Sequence, residues 1–119
     1  MARLHVEGEN LVVKLGIVDT MLSVRSTMRF PLTSVERVYF DPYVGDEPRG
    51  IKAPGTHLPG VVTKGTFHSQ GVKTFWNVWR GTSAVVVELS GQKFDRLVID
   101  HNEPEAVVQQ IEAAKDSLR

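Results

Sequence analysis

Arg49, Lys52, His57 and Lys64 put three fixed cations and one titratable ring into a stretch punctuated by Pro48, Pro54, Pro59, Gly50, Gly55 and Gly60. Cations held on a glycine-bearing backbone suit an anion, because glycine lets a ligand approach the main chain closely. The competing role is a solvated rim on a proline-stiffened connector that packs through Ile51 and Leu58. A second set is aromatic: Phe75, Trp76 and Trp79. On a strand, Phe75 and Trp79 share one face with Lys73 and Asn77, and Trp76 shares the other with Val72, Thr74 and Val78. A small barrel has one core face per strand. Either Trp76 or the Phe75/Trp79 pair is therefore expected outside, where exposed aromatics mark binding surfaces, unless the loop or the N-terminal run covers them. These seven residues form the candidate binding surface.

Catalytic constellations are harder to find. His5, His57, His68 and His101 include no pair at helical i, i+4 spacing, so no metal site is expected. Cysteine is absent, which excludes thiol nucleophiles, disulfides and zinc–thiolate centres. Ser23, Ser34, Ser69 and Ser83 lack the glycine context of a nucleophile elbow. Asp41, Asp46 and Glu47 read as solvated turn residues rather than a general acid–base pair. The residues thus point to a non-catalytic domain with no cofactor. Fourteen basic and fourteen acidic residues give a formal net charge of zero. Nucleic-acid binders and binders of anionic membranes usually carry a basic excess, so neither is expected as the main partner. No run approaches the 18 apolar residues of a membrane-spanning helix, and the N-terminus lacks the apolar block of a signal peptide. A cytoplasmic location is expected.

The elements that must position these residues are mostly strands. Leu4–Glu7 and Leu11–Leu15 flank the turn Gly8-Glu9-Asn10. Ile17, Val18, Met21, Leu22 and Val24 fit one face of a short helix over 17–24. Met28–Leu32 and Val35–Phe40 follow as strands around Thr33-Ser34. Positions 42–60 hold four of the six prolines and read as one long loop. Val61–Phe67, Val72–Trp79, Ala84–Leu89 and Phe94–Ile99 read as an antiparallel meander with short turns. The end of the chain, 103–118, is a helix. Asn102 and Glu105 have capping-box spacing, Pro104 sits in the first turn, and Val107, Ile111, Ala114 and Leu118 form one apolar stripe.

This order resembles the pleckstrin-homology-like fold. It resembles in particular a group of small uncharacterised bacterial proteins with such a domain. The residues that carry the resemblance are Phe30-Pro31-Leu32 with Val35 and Val38, Asp41-Pro42, Gly50-Ile51-Lys52-Ala53-Pro54-Gly55-Thr56 with Leu58-Pro59-Gly60-Val61, Phe75-Trp76, Val85-Val86-Val87-Glu88-Leu89 and Phe94-Asp95-Arg96-Leu97-Val98-Ile99. The resemblance implies a mainly β, α+β architecture of about seven strands. These form a roll of two near-orthogonal antiparallel sheets, capped by the C-terminal helix, in a single domain over 1–119. It implies no established activity. The basic motif of phosphoinositide-binding relatives would begin at Lys14 and Arg25, but position 27 is Thr27 and Arg29 lies one pleat further on.

The functional expectation is a binding or scaffold module for a protein partner or for a second copy of itself. The alternative is a binder of a small anion or lipid headgroup through the 42–60 loop. Peripheral membrane contact is a weaker form of that alternative, and an enzyme is the least expected reading.

Overall fold

The computed structural model describes residues 3–14, 27–42, 51–58, 62–69, 71–78 and 84–118, with the backbone alone for 51–58, 62–65 and 69. Gly8 sets the first hairpin. Its φ of 60° lies in the left-handed region, which lets Gly8-Glu9 close a two-residue turn between β1 (Arg3–Glu7) and β2 (Asn10–Lys14). β3 (Thr27–Pro31) pairs with the other side of β2. The register stacks Leu4, Val13 and Met28 on one face, and Val6, Leu11 and Phe30 beside them. That face is the core side of a three-stranded sheet. A 3₁₀ turn, Leu32–Ser34, follows, with the Ser34 hydroxyl donating to the Pro31 carbonyl at 2.6 Å.

The second sheet has six strands: β4 (Val35–Asp41), β5 (Ile51–Leu58), β6 (Val62–Ser69), β7 (Val72–Val78), β8 (Ala84–Leu89) and β9 (Arg96–Ile99). Their spatial order is β4-β8-β9-β7-β6-β5. This corrects the expected meander, because β9 inserts between β7 and β8 and runs parallel to β7. The cause is visible in composition. Val85, Val86, Val87, Leu97, Val98 and Ile99 are all fully buried, so β8 and β9 carry apolar side chains on both faces and belong at the centre of a sheet. A sequential meander would have left β9 at an edge. The sheet is therefore mixed rather than antiparallel, and nine strands are described where about seven were expected. The chain is nevertheless mainly β, in two sheets with one C-terminal helix.

The 42–60 segment is likewise not one loop, since Ile51–Leu58 pairs antiparallel with β6 as the outermost strand. Pro54 is tolerated because the register slips between Lys52 and Gly55, and because an edge strand leaves one side without ladder bonds. The expected helix over 17–24 lies outside the described residues.

The terminal helix α1 (Pro104–Asp116) packs on β4, β1 and the 3₁₀ turn, so it bridges the two sheets. Val107 and Ile111 enter the main core, and each contributes about 1.5–3 kcal/mol as an upper estimate. Two expectations at its ends are corrected. No side chain caps its N-terminus; Glu103 is the cap residue, and its N–H donates to His101 Nδ1 at 3.0 Å instead of to a capping box. Leu118 is exposed, one residue past the C-cap Ser117, so the stripe ends on the half-buried Ala114. No helix among the described residues is long and apolar enough to cross a membrane.

The central strands of the six-stranded sheet, β7, β8 and β9, are buried on both faces. Phe75, Val85, Val87, Leu97 and Ile99 join the three-stranded sheet and α1 in one cluster. Phe67, Trp76, Val78, Ala84, Val86 and Val98 form a second cluster on the opposite face. Phe75 and Trp76 are 2% and 1% exposed, so each is covered on its own face of β7, while Trp79 lies outside the described residues.

Candidate functional site

The residues singled out in the sequence do not assemble into one described site. Lys52 and His57 fall on β5 and Lys64 on β6, where the register sets Lys64 between Thr56 and Asn77. Phe75 and Trp76 are core. Arg49 and Trp79 lie outside the described residues.

A different place has two cations and no carboxylate in its lining, although one of them, Arg29, is ion-paired with Glu7 on β1. It is a cleft of about 220 Å³ between β3 and the turn after β8. Thr27, Met28, Arg29 and Phe30 form one wall, and Gln92, Lys93 and Phe94 form the other. Side chains alternate along a strand, so four consecutive lining residues mean that the edge of β3 itself faces the cleft. The floor is apolar, with Met28, Phe30 and Phe94 all buried. The rim carries Arg29 and Lys93.

Each wall is fixed by the local sequence. Gly91 supplies a φ of 67° in the turn Ser90-Gly91-Gln92-Lys93. Asp95 then pins the turn to β7, because its carboxylate accepts the Lys73 N–H and its own N–H donates to the Lys73 carbonyl, both at 2.8 Å. Phe94, one residue earlier, is thereby set against Phe75 with ring centres 5.5 Å apart, under the Lys73 ammonium at 5.3 Å. The strand expected over Phe94–Ile99 accordingly begins only at Arg96.

Arg29 also belongs to the face of the three-stranded sheet that points away from the main core cluster, a face on which Val12 is nonetheless fully buried. Alternation and register lay out Arg3, Lys14 and Thr27, then His5, Val12 and Arg29, then Glu7, Asn10 and Pro31. Three fixed cations and a histidine share this face with one carboxylate, on a chain whose total charge is zero. Glu7 is the common partner of His5, Lys14 and Arg29. His5 Nε2 contacts Glu7 Oε2, Arg29 Nη1 lies 3.1 Å from Glu7 Oε1, and Lys14 Nζ lies 3.9 Å from Glu7 Oε2. Hydrogen bonds from His5 and then Arg29 hold the Glu7 carboxyl below its ordinary 4.5. All these groups are substantially exposed, so the pairs are screened and individually weak.

Two further clefts carry acids and suit an anion less well. One lies beside Leu4 and α1 and contains Glu103 with His101. The other lies between β4 and α1 and contains Glu36 and Glu112 with Arg37 and Lys115. Lys115 is engaged there, donating to the Glu36 carbonyl at 3.0 Å. Across from that cleft's Tyr39, burial and then the Glu88 carboxylate push the phenol above its ordinary value. No group of three or more His, Asp or Glu that could hold a metal occurs among the described residues.

Sequence reading had Arg29 in view, but as a departure from a lipid-binding motif. Lys93 and Phe94 were missed. The signal for them was a Gly-bearing turn ending in a lysine and a phenylalanine opposite a strand with a basic residue, and no single stretch of sequence holds both walls. Compared with protein-family models, curated proteins and solved structures, the chain matches none.

Proposed function

We propose that this protein is a non-catalytic binding module that takes an anionic ligand bearing an apolar part, in the cleft between β3 and the turn after β8. One observation carries the reading: Arg29 and Lys93 line an apolar floor and no carboxylate does, although Glu7 on β1 holds the Arg29 guanidinium in the free protein. A carboxylate, sulfonate or phosphate would meet Lys93 and draw Arg29 from Glu7, while its apolar part lay on Met28, Phe30 and Phe94. This moves the anion-binding alternative away from the 42–60 loop. A hydrophobic self-association surface has less support, because Val72 and Leu118 are the exposed large apolar residues among those described, and they are only 39% and 36% exposed. The pleckstrin-homology-like resemblance belongs to this reading as a proposal. It is supported by the two-sheet core and the helix between the sheets, while the parallel β7/β9 pair departs from it.

Anilinonaphthalene sulfonate has the required chemistry and reports its own binding by fluorescence. It is expected to bind the folded protein more tightly than the uncharged phenylnaphthylamine. Lys93→Gln and Arg29→Gln are each expected to weaken it about tenfold, since a charge-assisted contact is worth about 1.5 kcal/mol. Equal binding of the charged and uncharged probes, unaffected by either variant, would refute the reading.

A further inference from the structure

The cleft has a directional feature that an anion alone does not use, namely an edge of β3 with no ladder partner among the described residues. Within the described residues β3 has β2 as its one ladder partner. The phase of that ladder follows from one bond beyond it. The Leu32 N–H donates to the Glu9 carbonyl at 2.9 Å. In an antiparallel pair this makes Pro31 and Asn10 a non-hydrogen-bonded pair, and pairs alternate from there. Met28 and Phe30 therefore exchange their bonds with β2. Thr27 and Arg29 aim their N–H and C=O groups the other way, into the cleft. Pro31 shares that phase, but it has no N–H and its carbonyl already accepts from Ser34.

We propose that the cleft receives an extended peptide segment of alternating acidic and apolar residues, which adds to β3 as an antiparallel fourth strand. The proposal rests on the anion-binding reading above and names the partner's chemistry. Strand addition takes its affinity from main-chain bonds and its selectivity from alternate side chains. For an antiparallel newcomer, the residue opposite Arg29 exchanges both backbone bonds with it and places its side chain on the same outer face. On that face the newcomer meets Arg29, whose present counter-ion is Glu7, so an acidic side chain is the complement. The residues between point to the inner side, onto Met28, Phe30 and Phe94, so they are apolar. Thr27 and Arg29 together offer four backbone groups, which sets the added strand at about three residues in register.

A fluorescent peptide, acetyl-Glu-Val-Glu-Val-Glu-amide, tests this by anisotropy, alongside two N-methylated versions. Methylating the Glu amides removes donors aimed at β3, and methylating the Val amides removes donors aimed away. The first is expected to weaken binding about tenfold or more and the second to leave it unchanged. Saturating peptide is also expected to slow hydrogen exchange at the Thr27 and Arg29 amides, with Met28 and Phe30 already protected in the free protein. Lys93→Gln, on an exposed turn, serves as the charge control should Arg29→Gln fail to fold. If the two methylated peptides bind alike, or if no peptide binds while the sulfonate probe does, strand addition is wrong and the anion site stands. If Lys93→Gln changes neither the peptide nor the sulfonate probe, both readings fall.

Discussion

Asn77 gives the sharpest test of the packing. It is fully buried in β7, and neither its amide oxygen nor its amide nitrogen has a hydrogen-bond partner. Its backbone carbonyl is used, accepting from the Asp100 N–H at 3.1 Å, but that bond does not depend on the side chain. An orphaned buried polar group costs about 1–3 kcal/mol, so two cost about 2–6 kcal/mol. Asn77→Leu keeps the branched shape and replaces both polar atoms with methyl groups. The extra volume costs about 1–3 kcal/mol in a tight core. The net expectation is a gain of about 2 kcal/mol. With an unfolding entropy of roughly 2.1 cal/mol/K per residue over this chain length, that raises Tm by about 8 °C. Asn77→Asp has the same shape but adds a charge with nothing to pair it, and it is expected to unfold the protein at neutral pH. Calorimetry on the three proteins decides the matter. A lower Tm for Asn77→Leu would show that the amide is satisfied, for example by an ordered water, and the reasoning from burial would fail.

Three further outcomes follow from individual contacts. Ile111→Ala is expected to cost about 2–5 kcal/mol in urea unfolding and Leu118→Ala less than about 0.5 kcal/mol, because the first is fully buried in the main core and the second lies exposed past the helix. The Glu7 carboxyl sits below its ordinary 4.5 in the folded protein, so its stabilising effect is complete above that pH and is lost as pH falls through the folded value. Thermal melts of wild type and Glu7→Gln should therefore differ at neutral pH and converge in acid; a constant difference would contradict the ion-pair cluster. Gly91→Ala has open space for its methyl group but forces a side chain into positive φ, so it is expected to cost about 1–2 kcal/mol and to weaken the sulfonate probe by disturbing the turn wall.

The hairpin at Gly8, the separation of β3 from β4 around Thr33-Ser34, β8 and the terminal helix were legible because each is written locally. A turn residue, a proline or a 3.6-residue stripe needs no distant information. The order of the six-stranded sheet was not legible from turn lengths. Short turns between β7, β8 and β9 suggested neighbours in sequence order, whereas the all-apolar β9 needed burial on both faces and took a central place. That signal lay in Leu97, Val98 and Ile99. β5 was hidden by Pro54 and Gly55, which argue against a central strand but not against an irregular edge. The burial of both Phe75 and Trp76 followed from the same two-faced sheet. The cleft was illegible for a plainer reason: Arg29 and Lys93 are 64 positions apart, and only the fold sets their walls together.

The central claim is that an anion with an apolar part binds between β3 and the turn after β8. Amide-resolved NMR of the intact chain, titrated with anilinonaphthalene sulfonate, tests it most directly. Shifts are expected to centre on Thr27–Phe30 and Gln92–Phe94 and to weaken with added salt as the cations are screened. Shifts centred on the acid-bearing clefts beside α1, or shifts reproduced by the uncharged phenylnaphthylamine, would contradict it.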